Sequence, residues 1–473
     1  MSLSLEKPLC VDLDGTLVLT DTLHESVFLL LRKNLFYFFP LVFWLFKGVP
    51  VFKKEVMQRS RPRAHLLPYH EELMIYLKQE KNKGRKLILV TGTNELMARE
   101  ISEHVGLFDE CLASSISQNL IGDAKHVLLE KKFGPKGFDY IGNSWSDVVV
   151  WRGAHQSLLV SSSKKWAHKI HRHVNITHIF MKTNFGIKGL IKLLRCHQWV
   201  KNVLIIAPLI LAHKIGEGGI WLHAVQAFFA MSFLSSSVYI ANDLIDLESD
   251  RAHVSKKKRP IAAGTITPLE GIFFFLITFG VSIFLAWDFS WRVYIALGFY
   301  FVLAMLYSFW LKRLLLADVI VLAGLYSSRI FIGSQVFSIP LSPWFIAFSS
   351  FFFLSLALVK RYAELHNIQN GEVLGRGYRA SDKPLVASMG IASGYLAVLV
   401  LALYLSSPEV VLLYSRPYAL WLLCPLFFYW ISRIWLLTHR GLMHEDPIVF
   451  ALKDAASYIF VILVGLVLLA GVL

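Results

Sequence analysis

The chain has 473 residues, a formal net charge of +15, 55% apolar residues and a mean hydropathy of +0.53. That apolar excess excludes an ordinary soluble or disordered protein and makes a membrane class the first expectation. In such a chain the positive charge fits cytoplasmic loops, anionic headgroups and phosphorylated substrates, and no aromatic-plus-basic module for nucleic acid is present. Cys10, Cys111, Cys196 and Cys424 are scattered without metal or disulfide spacing. The N-terminus lacks a basic stretch followed by an apolar one, so no signal peptide is expected and the front is expected in the cytoplasm.

The front opens on PLCVDLDGTL (Pro8 to Leu17), a short apolar strand ending in Asp12 and Asp14. Two carboxylates two residues apart at a strand end suit nucleophilic phosphoryl transfer, one attacking phosphorus and holding Mg²⁺, the other protonating the leaving oxygen. KLILVTGTN is a second buried strand, whose Thr91 to Asn94 end would hold a phosphate at a helix start. Lys125 would neutralise the phosphoryl group, and FDYIGNSWSD ends in Asn143 and Asp147 at a spacing suited to a metal. These four elements, in this order, resemble the haloacid dehalogenase superfamily of aspartyl-phosphate phosphatases over roughly residues 5–165, which implies an α/β (Rossmannoid) domain spanning 1–165. The resemblance implies Asp12 as nucleophile, Asp14 as general acid/base, Thr91 and Lys125 as phosphate ligands, and Asp12, Asp14, Asn143 and Asp147 around Mg²⁺. Asn143 stands where the superfamily carries aspartate. One negative charge fewer weakens the metal site, so a retained fold without activity stays open as an alternative.

Between the first two strands lies an apolar insertion, residues 27–56. Its core from Leu35 to Phe46 contains Pro40 and would reach only about 18 Å as a helix, short of a bilayer of about 30 Å. A cap lying on the membrane, flanked by Arg32, Lys33, Lys47, Lys53 and Lys54, is one expectation; a cap packed into the soluble domain is the other. Residues 166–184 are expected as a basic linker, with His168, His171 and His173 solvated or facing headgroups. An interfacial helix, Phe185 to Trp199, then presents Lys188, Lys192 and Arg195 on one face.

From there to Leu473 the sequence predicts an all-α membrane domain of about nine spans. They lie near 200–212, 219–241, 270–288, 291–311, 315–337, 343–359, 385–406, 418–437 and 456–473. Basic residues concentrate on alternate loops, which predicts an N-inside, C-outside topology. After the second span comes NDLIDLESDRAHVSKKKRP, Asn242 to Pro260. On a continuous helix Asp243, Asp246 and Asp250 would share one face. Three carboxylates so placed call for divalent cations carrying a polyphosphate, with Arg251, Lys256, Lys258 and Arg259 taking the remaining phosphate charge. Asp318 and Arg329, eleven residues apart within one apolar span, would face one cavity or form a structural pair. Glu364 and Asp382 would form a second acidic cluster, with Lys360, Arg361, Arg376 and Arg379 as further phosphate ligands.

These spans and motifs resemble the UbiA superfamily of intramembrane prenyltransferases. More narrowly, QWVKN (Gln198 to Asn202), NDLIDLESDRAHVSKKKRPIAAG, YSFWLK and KRYAEL are similar to its decaprenyl-phosphate phosphoribosyltransferase branch. The resemblance implies Mg²⁺-dependent transfer of 5-phosphoribosyl from phosphoribosyl pyrophosphate to a polyprenyl phosphate, at the cytoplasmic face of a bacterial plasma membrane. Asn242, Asp243, Asp246 and Asp250 would hold Mg²⁺, with Asp243 and Asp246 central. Lys201, Asn202, Arg251, Lys258, Arg259, Tyr307, Lys312, Arg329, Lys360, Arg361, Tyr362 and Glu364 would contact the substrates. KRYAEL and RGYRASD depart from the paired aspartates of aromatic-prenylating relatives. Prenyl transfer to an aromatic acceptor and a lipid-binding or transport role remain alternatives, and a homo-oligomer stays open. Membrane lipids are the expected surroundings and nucleic acid is not an expected partner. The front domain would then remove the 5-phosphate of the product.

Overall fold

A computed structural model describes residues 7–115, 119–183, 185–366, 377–443 and 446–473. The chain divides into two compact units, residues 1–193 with 243–274, and residues 194–242 with 275–473.

The first unit is built on a parallel sheet of six strands: β1 (Leu9–Val11), β2 (Leu87–Asn94), β3 (Glu110–Ser114), β4 (Asp139–Gly142), β5 (Ser157–Ser161) and β6 (Ile176–Met181), in the order β3-β2-β1-β4-β5-β6. Strands apolar on both faces explain the parallel arrangement, because helices cover both. Leu9, Val11, Leu87 and Leu89 pack into one core, and Cys10, Ile88, Val90 and Tyr140 into the other. The chain reverses direction from β1 across to β2 on one side and β4 on the other, which leaves a crevice at the carboxyl end of β1. Asp12 and Asp14 follow β1 directly into it.

Three helices fill the insertion: α1 (Thr22–Lys33), α2 (Phe38–Phe46) and α3 (Val49–Arg59). Asp21 caps α1 by accepting from the Leu23 and His24 amides, at 2.9 and 3.0 Å. Helix α2 buries only Leu41 and leaves Phe39, Phe43 and Phe46 exposed. The basic linker expected at 166–184 is instead folded. A helix (Lys164–His171) buries Ala167 and Ile170, and β6 pairs in parallel with β5. Their apolar residues recur too sparsely among lysine and histidine to betray this.

The second unit is helical. Among the described residues, eight helices are long and apolar enough to cross a membrane: Ile220–Ile245, Pro268–Leu285, Trp291–Phe309, Ala317–Phe337, Pro343–His366, Ala380–Leu405, Pro417–His439 and Ala455–Val472. The expected ninth, near 200–212, is the shorter apolar segment Cys196–Leu211, mostly 3₁₀ helix. It is packed inside the unit: Asn202 and Ile205 are fully buried, and Gly333 lets the Ile205 backbone approach so closely that a β-carbon there would collide with its carbonyl.

Candidate active sites

The crevice at β1 collects the front domain's expected residues. Lys125 Nζ donates to Asp12 Oδ1 and to the Tyr140 hydroxyl, both at 2.8 Å, and lies 3.6 Å from Asp147. Tyr140 donates in turn to Asp147 at 2.7 Å. The other Asp147 oxygen accepts from the Asn143 and Ser144 amides, at 3.1 and 2.9 Å, which fixes the loop after β4. Asp14 accepts from the Thr22 amide at 2.8 Å and from the Thr93 hydroxyl. Thr91 is fully buried, its hydroxyl accepting from the Thr93 amide at 3.0 Å. At Gly15, φ is +70°, and a β-carbon would run into the Asn143 side chain, so the turn carrying the two aspartates needs glycine there.

The electrostatics follow from burial. Desolvation pushes Asp12 up to about 7, against the pull of Lys125, and Asp14 up to about 6, with Asp21 adding to the rise. Burial works against the Lys125 charge, yet Asp12 and Asp147 together carry it above its ordinary value. Thr93 belongs to the expected Thr91 to Asn94 end, whereas Tyr140 was not anticipated, nor was the reach of Lys53 to that end. Tyr140 sits in an apolar strand pattern that reads as core. Lys53, on α3, donates to the Gly92 carbonyl at 2.8 Å, bringing the cap to the end of β2.

The aspartate segment departs from a single continuous helix. The helix Ile220–Ile245 ends before Asp246, which stands at the N-cap position of a second short helix, Leu247–Ala252, without a side-chain capping bond. Seven residues of unbroken helix would separate Asp243 and Asp250 by about 10.5 Å of rise. The break instead lets both reach Arg259 Nη1, at 3.0 and 2.5 Å. Arg251 is committed elsewhere: its two terminal nitrogens donate to the Glu25 carboxylate at 2.7 and 2.6 Å, and its Nε to the Ala262 carbonyl at 3.1 Å. That contrasts with the expected phosphate ligand. Lys258 is exposed, its carbonyl accepting from Lys192.

In the second unit, Lys312 donates to the Asn242 side chain at 3.4 Å. Asp318 and Arg329, expected to share a cavity, take different partners. Fully buried Asp318 pairs with fully buried Arg361 at 2.5 Å and accepts from the Tyr378 hydroxyl at 2.8 Å, while Arg361 also holds Glu364. Arg329 instead donates to Asn202 at 2.9 Å and to Tyr300 at 3.2 Å. Lys201 meets Asp446 at 2.7 Å, with the Tyr326 hydroxyl at 2.8 Å and Lys360 at 3.6 Å from the same carboxylate. Asp446 was missed; it stands outside every motif block, and its one sequence signal is an acid before Pro447. Tyr362 hydrogen-bonds His439 at 2.9 Å, and Tyr307 lies half-buried at the end of its helix. Arg376 lies outside the described residues.

Among the described residues no three His, Cys, Asp or Glu side chains converge as a metal cage. The partners explain this: Asp14 is held by hydrogen bonds, and Asp12, Asp243 and Asp250 by Lys125 or Arg259. Such donor sets suit an ion that takes a few carboxylates and leaves its other positions to water and phosphate.

Comparison with known proteins matches residues 203–453 to the UbiA prenyltransferase family and residues 9–150 to the haloacid dehalogenase-like hydrolases. The uncharacterized protein y4nM of Sinorhizobium fredii is 36% identical over 95% of this chain and 88% of its own length. Nodulation protein NoeC of Azorhizobium caulinodans is 31% identical over 57% of this chain and 88% of its own. Decaprenyl-phosphate phosphoribosyltransferase of Mycobacterium tuberculosis is 35% identical over 38% of this chain and 61% of its own.

Proposed function

The chain is an integral membrane protein that belongs to the UbiA prenyltransferase family and carries a haloacid dehalogenase-like domain, and from that premise we propose that it transfers 5-phosphoribosyl from phosphoribosyl pyrophosphate to a polyprenyl phosphate. The observation that carries this reading is the convergence of Asp243 and Asp250 on one guanidinium group, beside the basic run Lys256 to Arg259. Two carboxylates sharing one cation form a site whose charge asks for a counter-ion and whose oxygens suit Mg²⁺. Asn242, Asp243, Asp246 and Asp250 would hold the metal, which when bound would neutralise charge growing on the departing pyrophosphate. The bond between the ribose anomeric carbon and pyrophosphate breaks as a phosphate oxygen of the acceptor bonds to that carbon. The acceptor is already an anion, so no base is required. Arg259 and Lys258 donate to the leaving group's oxygens. Lys201, Lys360, Tyr307 and Tyr362 bind and orient donor or acceptor, while fully buried Asn202 and Arg361, bonded to Arg329 and to Asp318 and Glu364, hold those side chains in place. The relative named as a decaprenyl-phosphate phosphoribosyltransferase supports this substrate pair.

The front domain acts second, in the cytoplasm, on the 5-phosphate of the lipid-linked ribose. Asp12 attacks phosphorus while Lys125 and Thr91 hold the phosphoryl oxygens. Asp14, pushed up to about 6, protonates the leaving ribose oxygen and then takes a proton from the water that hydrolyses the aspartyl phosphate. Asp12, Asn143 and Asp147 are the residues that would hold or orient Mg²⁺ there. The exposed aromatic face of α2, with Lys53 reaching the strand end, supports a substrate carried on a lipid.

Purified protein incubated with ribose-labelled phosphoribosyl pyrophosphate and polyprenyl phosphate tests the transfer. Lipid-extractable label, lost in Asp243→Asn, is the expected result. No such label, with turnover of a prenyl diphosphate instead, would overturn it.

A further inference from the structure

The ion pair between Glu25 and Arg251 joins two parts of the chain that the proposed reactions keep apart. Glu25 lies in the first turns of α1, in the phosphatase-like domain, and is 1% exposed; Arg251 follows the last aspartate of the transferase motif directly. Their two parallel hydrogen bonds, at 2.7 and 2.6 Å, form a planar fork. The fork is anchored on both sides. Glu25 Oε1 also accepts from the Thr20 hydroxyl at 2.7 Å, and Arg251 Nε reaches the Ala262 carbonyl at 3.1 Å. Arg251 thereby ties the loop that leaves Asp250 to the stretch that follows Arg259, while Arg259 itself bridges Asp243 and Asp250. Gly264, at φ +71°, continues the contact against Leu19 and Pro68. By contrast, the outer contacts of Glu248 with Arg32 and Arg63, at 3.4 and 4.0 Å, are more exposed and hold little.

We infer that Glu25 is a positioning residue for the transferase: through Arg251 it sets the short helix Leu247–Ala252, whose Asp250 meets Asp243 at Arg259. The soluble domain is then a structural part of the transferase metal site, in addition to its own chemistry. This rests on the transferase reading given above. The buried fork explains why an arginine beside the motif is not available to phosphate. A lysine would not replace it, since a single ammonium cannot grip both Glu25 oxygens and the Ala262 carbonyl in one plane.

The full-length protein in detergent tests this with labelled phosphoribosyl pyrophosphate as donor, measuring transfer against Mg²⁺ concentration. Wild type, Glu25→Gln, Arg251→Gln and the reversed pair Glu25→Arg with Arg251→Glu are compared, each with its thermal midpoint. Loosening the loop is expected to raise the Mg²⁺ concentration for half-maximal transfer about tenfold in each single variant. The reversed pair, which restores the fork but not the Ala262 and Thr20 contacts, is expected to recover part of that loss, which a merely structural role would not produce through the metal dependence. Single variants with wild-type Mg²⁺ dependence would overturn the inference, as would a loss of activity that follows the thermal midpoint alone. If wild type shows no transfer, or Asp243→Asn transfers normally, the transferase reading itself is what fails.

Discussion

Lys182 shows how the sheet's last strand acts on the first site. Burial pulls its ammonium down to about 8, and the Asp12 charge opposes this only in part. The folded chain therefore releases that proton near pH 8, and the unfolded chain near the ordinary value of 10.5. Below pH 8 the charged lysine costs stability, and the cost fades as pH rises from about 8 to 10.5. Lys182→Gln is expected to raise the thermal midpoint at pH 7 and to flatten its rise toward pH 10. Parallel profiles for variant and wild type would show that the charge is not strained. At this scale the candidate site was partly legible. Asp12 and Asp14 follow the end of β1, Asp147 ends the turn after β4 and Lys125 lies in the first turn of the helix Asp123–Phe133, and the structure brings Asp12, Lys125 and Asp147 together. Tyr140 was not, because an aromatic side chain in a buried strand looks the same whether or not its hydroxyl is used. Asp318 and Arg329 were visible as costly buried charges, but their partners Arg361, Tyr378 and Asn202 come from elsewhere in the chain. Pairing at such range is a tertiary fact.

Whole elements were read from periodicity wherever the pattern was strong. The apolar strands β1, β2 and β4 and the long apolar helices fall where expected. Two of the elements that escaped did so for different reasons. The strand Ile176–Met181 has only Ile176 and Phe180 buried, with threonine and histidine between them, so its edge position hid it. The aspartate segment was read as one helix because i, i+3 and i+7 share a face; the break at Asp246 changes the geometry while keeping the convergence. Close helix packing was equally hidden. Gly333 has no motif, yet it admits the Ile205 backbone, and a methyl group would strike a carbonyl that cannot swing away. Gly333→Ala is expected to destabilise the second unit by about 1–3 kcal/mol. Thermal unfolding in detergent measures this, and an unchanged midpoint would mean that the short Cys196–Leu211 segment shifts freely.

For the molecule as a whole, the aspartate segment 243–274 clusters with the phosphatase-like domain although it lies inside the UbiA-matching region. Sequence motifs assign that segment to the transferase, because chemistry is written locally. Its packing depends on Glu25, Leu19 and Pro68, more than 150 residues upstream. In the proposed two-step route, ribose phosphate is first transferred to a lipid and then dephosphorylated on the same chain. Mass spectrometry of the lipid products, from wild type and from Asp12→Asn supplied with phosphoribosyl pyrophosphate and polyprenyl phosphate, tests both steps in one measurement. The account predicts polyprenyl phosphate carrying an unphosphorylated pentose in wild type and a pentose phosphate in Asp12→Asn. A lipid without any pentose, or the same product from both proteins, would contradict it.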